Sequence, residues 1–152
     1  MQKIVPFLWF DGQAEEAMKF YVSIFKNSKI VRVMPGPNGT VMGGTFQLEG
    51  QEFFALNGGP QYKFTPAISL FVNCETQQEV DELWGKLSAS KSDEQCGWLK
   101  DKYGLSWQII PTILSKLMGD KNPKKANAVM QAMLQMKKID IKGLQQAYDQ
   151  SR

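Results

Sequence analysis

The sequence contains an internal repeat, and this repeat limits the folds available to the chain more than any other feature. A shift of 63 residues places residues 7–9 on residues 70–72, and the same shift places Tyr21 on Trp84. Each copy has the pattern of a strand, a helix and three further strands. A module of about 60 residues buries only about 60% of its unfolded surface and is marginally stable alone. We therefore expect two modules that share a core.

Hydrophobic residues of the first copy follow the strand period and the helix period in turn. Residues 4–10 are rich in aromatic and branched side chains and predict a strand. Residues 14–25 place apolar side chains at helical spacing, with two glutamates in the first turn, where the helix dipole favours acidic groups. Three more strands are predicted at residues 30–34, 40–48 and 53–57.

The second copy follows the same order but is shorter. Its predicted helix begins after Thr76, where Glu79 completes a capping box, and ends near Ser88. Gly50 and Gly104 correspond at a separation of 54 residues rather than 63, so the second copy must contain a reduced strand. Strands are predicted at residues 67–73, 95–100 and 105–110.

Breaks in these patterns divide the chain into three parts. Gly58, Gly59 and Pro60 end regular structure after the first copy, and helical spacing with Pro123 at a helix start follows the second copy. The predicted fold class is α+β, with two βαβββ modules that form curved mixed sheets around a cleft, and C-terminal helices. The parts are a first βαβββ module at residues 1–60, a second, shortened module at 61–111 and a C-terminal helical extension at 112–152.

The chain has no histidine, and this excludes several kinds of catalytic and metal site. Ser-His-Asp triads, Cys-His dyads and HExxH zinc sites all need that side chain. The two cysteines, Cys74 and Cys96, form neither a CxxC motif nor a disulfide scaffold. Any acid–base chemistry must therefore use Asp, Glu, Lys, Tyr or Cys.

Charge and hydropathy exclude two classes of partner. The net charge is +3, and the basic residues are scattered among acidic ones, whereas a nucleic-acid binder usually concentrates them on one face. No stretch approaches the roughly 20 apolar residues of a membrane span, and the N-terminal residues lack the features of a signal peptide. We expect no nucleic-acid partner, no membrane partner and a cytoplasmic location.

Several motifs resemble a known family over about residues 3–150. The repeat, the Phe20-Tyr21 pair and the segments 7–12, 55–60 and 97–108 are similar to the PhnB-like branch of the glyoxalase/bleomycin-resistance, or vicinal oxygen chelate, superfamily. The domain of that branch is often labelled a demethylubiquinone methyltransferase. The sequence has no glycine-rich loop that follows a strand and opens a helix, so its pattern does not favour a methyltransferase on a doubly wound sheet.

The resemblance implies where a metal would bind in this superfamily. Its metal ligands come from the first and fourth strands of each module, and only Gln108 among the corresponding positions is a plausible metal ligand. A catalytic zinc needs about three protein ligands, preferably imidazole, thiolate or carboxylate. We therefore predict no metal and no cofactor. Besides Gln108, the positions that correspond to metal ligands are Ile4 or Pro6, Ala55, and Ala67 or Ser69.

Strand alternation predicts the lining of a cavity on the concave side of the sheets. If Ile68, Leu70 and Val72 face the helix of their module, the residues between them face the cavity. The lining is then mostly apolar with a few amides and hydroxyls, as ligand pockets usually are. The predicted ligand-binding residues are Leu8, Phe10, Gln47, Phe53, Asn57, Ser69, Phe71 and Gln108, and Pro6, Thr45, Ala55, Ala67 and Ser106 complete the inward-facing set.

Three functions fit this pattern. The first is a metal-free protein that binds a small organic ligand, which no motif identifies. It would be a homodimer, as members of the superfamily commonly are. The second is an enzyme with lyase, isomerase or transferase activity that uses carboxylate or tyrosine side chains at the dimer cleft. The third is a structural or interaction module whose cleft is filled by side chains.

Overall fold

The computed structural model describes residues 1–152 and contains seven strands and five α-helices. The chain forms two compact units, Met1–Phe64 and Thr65–Arg152. Each unit has its own mixed sheet and at least one helix packed on that sheet. The C-terminal helices belong to the second unit. These features confirm the predicted α+β fold class.

The first unit has the predicted βαβββ order. Its sheet has the strand order β1-β4-β3-β2, in which β1 and β4 are parallel and the other neighbours are antiparallel. Its elements are β1 (Phe7–Phe10), α1 (Ala14–Ile24), β2 (Lys29–Pro35), a 3-10 turn (Pro37–Gly39), β3 (Val41–Leu48) and β4 (Gln51–Asn57).

Helix α1 buries one face of this sheet. Its residues Met18 and Tyr21 are fully buried, and the Tyr21 ring stacks on Phe46 with 6.2 Å between ring centroids. Phe46 in turn stacks on Phe53 of the neighbouring strand at 5.2 Å. Gly44 allows α1 and β2 to lie close to β3, because a Cβ at that position would collide with the Arg32 carbonyl oxygen and press on Met18.

The second unit has three strands, so the shortening predicted from the sequence removes a whole strand. Residues between α2 and β6 form only a 3-10 turn, and left-handed backbone at Cys96 (φ 51°) and Gly97 (φ 86°) limits β6 to three residues. Its elements are β5 (Ser69–Cys74), α2 (Gln77–Leu87), a 3-10 turn (Lys91–Asp93), β6 (Trp98–Lys100), β7 (Ser106–Pro111), α3 (Thr112–Met118), α4 (Pro123–Leu134) and α5 (Ile141–Gln150).

Local signals at the helix starts of this unit are those expected from the sequence. The Thr76 hydroxyl accepts a hydrogen bond from the Glu79 amide at 3.1 Å, as an N-cap residue does. The Glu79 carboxylate accepts a hydrogen bond from the Glu75 amide at 2.8 Å. In a standard capping box it would accept from the amide of the N-cap residue, which here is Thr76. Asn122 caps α4 by accepting from the Lys124 amide at 3.0 Å.

The sheet of the second unit has the order β5-β7-β6, with β5 and β7 parallel. Helices α3, α4 and α5 form a hydrophobic cluster with the end of β7. Its buried members are Ile110, Leu114, Leu117, Val129, Ile139 and Leu144. None of the helices has the length and hydrophobicity needed to cross a bilayer.

A buried carboxylate organises the turn between β6 and β7. Asp101 accepts hydrogen bonds from the Tyr103 amide at 2.9 Å, the Leu105 amide at 3.0 Å and the Trp107 indole at 2.9 Å. A buried charge is costly unless it is hydrogen-bonded, and these three donors satisfy it. The turn therefore fixes where β7 begins.

Replacement of Asp101 by alanine should destabilise the protein strongly, because it leaves buried N–H donors without an acceptor. We expect Asp101→Ala to lower the free energy of unfolding by about 3 kcal/mol, measured by urea denaturation. Asp93→Ala is the matched control, since Asp93 makes an exposed ion pair with Lys100 at 3.8 Å. That change should cost under about 1 kcal/mol. Equal effects of the two substitutions would contradict this role for Asp101.

Candidate functional site

Four predicted site residues of the first unit lie together on the helix-covered face of their sheet. Phe53 stacks on Phe46, which contacts α1 through Tyr21. Alternation places Asn57 on the same face as Phe53, and the β1–β4 register pairs Phe10 with Asn57. The expectation that these four face the concave side is wrong. The four residues are Leu8, Phe10, Phe53 and Asn57.

Asn57 has a structural partner at the start of the helix. Its side-chain oxygen accepts a hydrogen bond from the Ala14 amide at 2.8 Å, and its side-chain nitrogen donates to the Val41 carbonyl at 3.0 Å. The first bond satisfies one of the free amides at the N-terminus of α1. Asn57 therefore ties the end of β4 to α1.

A difference of one residue in the strand–helix connection explains the wrong face. Three residues separate Phe10 from Ala14 in the first unit, whereas two separate Cys74 from Gln77 in the second. The helices match at a shift of 63, but the buried strand ends Phe10 and Cys74 match at 64. A shift of one residue moves every side chain of a strand to the other face.

The opposite face of the first sheet is open and carries both aromatic and polar side chains. Phe7 and Phe54 meet edge to face at 6.0 Å on this face. Alternation places Thr45 and the predicted site residue Gln47 on the same side. Arg32 and Met34 complete a shallow pocket of about 230 Å³ beside Thr45.

The open face of the second sheet carries the larger cavity, of about 470 Å³. Gln108 and Phe71 are cross-strand neighbours and both line it. The Gln108 side-chain nitrogen donates to the Ser69 hydroxyl at 3.0 Å, so the structure brings these three predicted site residues together. The lining residues are Phe71, Cys96, Trp98, Gln108, Ile110, Leu114, Ser115, Met118, Gly119 and Met133.

The chemistry of this lining is uncharged and mainly apolar. Gln108 supplies its amide, and no protein group donates to the side-chain oxygen of that residue. Ser106, two positions earlier on the same strand face, is 1% exposed and its hydroxyl has no hydrogen-bond partner. No group of three or more His, Cys, Asp or Glu residues is placed to hold a metal ion.

Eight of the ten lining residues were missed by the sequence reasoning, which predicted only Phe71 and Gln108. Ile110 lies on the same face of β7 as Gln108 but was not among the predicted residues. Cys96 precedes the three-residue strand β6 and Trp98 begins it, and this strand is too short for alternation to assign their direction. The remaining missed residues come from α3, its C-terminal end and α4, where helical spacing shows an apolar stripe but not what it covers. They are Leu114, Ser115, Met118, Gly119 and Met133.

The two cysteines differ in their environment. Cys74 is fully buried, and burial together with the nearby Glu79 and Glu75 carboxylates raises the pKa of its thiol to about 12. Cys96 is free, partly exposed and on the wall of the cavity. The thiolate is the reactive form of cysteine, so Cys74 should be inert at neutral pH.

Alkylation with iodoacetamide should therefore modify one cysteine of the native protein. We expect a single adduct on Cys96 by intact-mass spectrometry, with no Cys74 adduct as the pH is raised from 7 to 9, because the Cys74 thiol stays protonated up to about pH 12. The Cys96→Ser variant should remain unlabelled until it is denatured. Rapid double labelling of the native wild-type protein would contradict this account.

The fold and the cavity define a class of protein. Both units have a sheet with a helix on one face and an open second face, and in both the first and last strands form a parallel pair. This is the architecture of glyoxalase/bleomycin-resistance proteins. The family model described as 3-demethylubiquinone-9 3-methyltransferase matches residues 2–110. The chain belongs to this family, and the match confirms the PhnB-like resemblance.

The solved structure of one relative supports the assignment, and two more distant structures are similar in fold. The PhnB protein from Bacillus cereus is 41% identical, with a TM-score of 0.64, over 73% of this chain and 100% of that chain. Protein PA1353 from Pseudomonas aeruginosa is 17% identical, with a TM-score of 0.55, over 73% and 98% of the two chains, and shares the fold. A glyoxylase/bleomycin resistance protein/dioxygenase domain from Frankia sp. is 13% identical, with a TM-score of 0.49, over 73% and 92%. No match was found among the curated proteins.

Proposed function

We propose that this protein binds a small, uncharged organic molecule in the cavity of its second unit and uses no metal ion to do so. The observation that carries this proposal is the single amide of Gln108 in a mainly apolar cavity of about 470 Å³. Ligand pockets of about 300–1,000 Å³ typically combine an apolar lining with a few polar groups that orient the ligand.

The bond to Ser69 prepares Gln108 for a ligand. Because the Gln108 side-chain nitrogen donates to the Ser69 hydroxyl at 3.0 Å, the orientation of the amide is set before binding. Its oxygen remains available to accept a hydrogen bond from an N–H or O–H group of a ligand. A preoriented acceptor loses less conformational entropy on binding than a mobile one.

Two aromatic side chains favour a ligand with a flat apolar surface. Phe71 is 53% exposed, and Trp98 lines the cavity beside Gln108, its cross-strand partner. Each Å² of apolar surface removed from water contributes about 25 cal/mol. A ring system that covers these residues would therefore gain most of its binding free energy from them.

The same features support the metal-free part of the proposal. The positions that correspond to metal ligands in metal-bearing relatives include Ala55 and either Ala67 or Ser69, and Gln108 offers one neutral amide. Zinc sites need several imidazole, thiolate or carboxylate ligands. Metal analysis of protein purified without chelators should find less than one ion per chain, and a tightly bound stoichiometric metal would overturn this part.

We also propose a cytoplasmic homodimer with no nucleic-acid partner. The edge strand β2 exposes Val31, Val33 and Met34, and an exposed apolar edge is a surface that a second copy can cover. The two free cysteines suit a reducing compartment. The net charge of +3 is too small and too dispersed for a nucleic-acid surface.

The enzymatic alternative needs groups that this cavity lacks. Its lining contains no carboxylate and no tyrosine, so lyase, isomerase or transferase chemistry by acid–base catalysis would require those groups from a partner subunit. The family description names a methyltransferase, but no binding site for a methyl-group donor is assigned in this chain. Binding is therefore the function that we favour.

A neutral fluorescent probe tests the proposal. N-phenyl-1-naphthylamine has two aromatic ring systems and one N–H group that Gln108 can accept, so we expect saturable binding with enhanced fluorescence. Gln108→Leu should weaken binding about fivefold, because a neutral hydrogen bond contributes about 1 kcal/mol.

Gln47→Leu is the matched control, since Gln47 is a strand glutamine on the open face of the first sheet. Its replacement should leave the dissociation constant unchanged. Weaker binding in Gln47→Leu, with no effect of Gln108→Leu, would place the probe on the wrong unit and refute the proposal.

A further inference from the structure

The C-terminal helices lie outside the part of the chain that the family shares. The family model ends at residue 110, and 73% of this chain matches the whole of the Bacillus cereus protein. Yet α3 and α4, with the residue that follows α3, supply five of the ten residues that line the cavity of the second unit. The extension thus forms part of a site whose opposite wall belongs to the family domain.

We infer that the helical extension, residues 112–152, is the specificity element of the ligand site. It converts the open face of the second sheet into a walled cavity that selects uncharged aromatic molecules. This inference rests on the proposed function, because it concerns the same cavity. It adds that the selection is made by residues that lie beyond the match to the family model, which ends at residue 110.

The chemistry of the two walls supports this class of ligand. Met118 and Met133 of the extension and Phe71 and Trp98 of the sheet line the same cavity. Thioether groups adapt to flat surfaces and make favourable contacts with aromatic rings. The extension adds no charged side chain to the lining, so a charged ligand would lose its hydration without gaining a partner.

Backbone hydrogen bonds hold the wall in place. The amides of Cys96 and Gly97 donate to the Met136 and Lys137 carbonyls at 2.9 and 2.8 Å. These bonds join the segment after α4 to the start of β6. A wall fixed in this way is preformed, and a preformed wall discriminates between ligands by shape.

A second attachment lies at the start of α2. The Gln77 side chain donates to the Ile139 carbonyl at 3.0 Å and accepts from the Ile141 amide at 2.8 Å. Lys138 forms an ion pair with Asp81 of the same helix at 2.9 Å. The link between α4 and α5 is therefore bonded both to the residues just before β6 and to α2.

The ends of the three helices are also bonded to one another. The Tyr148 hydroxyl donates to Asp120 at 2.6 Å, and this bond lowers the pKa of Asp120 and raises that of Tyr148. Lys125 donates to the Tyr148 and Ser151 carbonyls at 3.0 and 2.9 Å. These contacts hold α3, α4 and α5 as one body, with the cavity side of α3 free to meet a ligand.

Ser115 provides the first test. It is an exposed residue of α3 that lines the cavity, and its hydroxyl donates to the Thr112 carbonyl at 3.1 Å. Ser115→Trp should fill the entrance and weaken binding of N-phenyl-1-naphthylamine at least tenfold. Ser23→Trp is the matched control, because Ser23 is an exposed serine of α1 with the same bond to the Phe20 carbonyl, at 2.6 Å.

Met133 provides the test of selectivity. Met133→Ala should enlarge the cavity, so the larger neutral dye Nile red should gain affinity relative to N-phenyl-1-naphthylamine by at least fivefold. Met130→Ala is the control, since Met130 lies on the same helix but does not line the cavity. Thermal unfolding of each variant verifies that the fold is retained.

The outcomes separate this inference from the proposed function. Reduced binding in Ser115→Trp with altered selectivity in Met133→Ala supports the inference. If the wild-type protein binds the probe through Gln108 and neither substitution changes affinity or selectivity, the extension is not the specificity element, and the proposed function stands. If the wild-type protein binds neither dye, the proposed function fails and the inference fails with it.

Discussion

Side chains of a strand point alternately to the two faces of a sheet, and a single helix buries only one of those faces. In the second unit, Trp107 and Ile109 are buried on one side of β7, while Gln108 and Ile110 lie on the other. The C-terminal helices cover this second face incompletely. The cavity is the space that remains, and its chemistry follows from which strand residues point into it.

The position of Gln108 is set by the turn that precedes β7 and by the pairing of β7 with β5. The Asp101 turn fixes the start of β7, and the parallel register pairs Ser69 with Ser106 and Phe71 with Gln108. This register brings the amide of Gln108 within hydrogen-bond distance of the Ser69 hydroxyl. A site made from one neutral amide and apolar surface recognises a ligand by shape and by one hydrogen bond, with little dependence on salt.

The periodic features of the sequence were enough to predict the helices and the α+β class, because core contacts maintain the helical spacing of the amphipathic segments. The faces of β1 could not be predicted in the same way. The connection from Phe10 to Ala14 is one residue longer than that from Cys74 to Gln77, and an alignment based on the helices does not detect this difference. The lining contributed by Met118 and Met133 depends on tertiary packing, which helical spacing alone does not specify.

The central claim is that the ligand site is the cavity of the second unit, and methionine methyl NMR tests it directly. The chain has eight methionines, of which Met118 and Met133 line this cavity and Met34 lines the shallow pocket of the first unit. Titration of methyl-labelled protein with N-phenyl-1-naphthylamine should move the Met118 and Met133 signals most and leave that of Met34 unchanged. Shifts at Met34 with none at Met118 or Met133 would contradict the account.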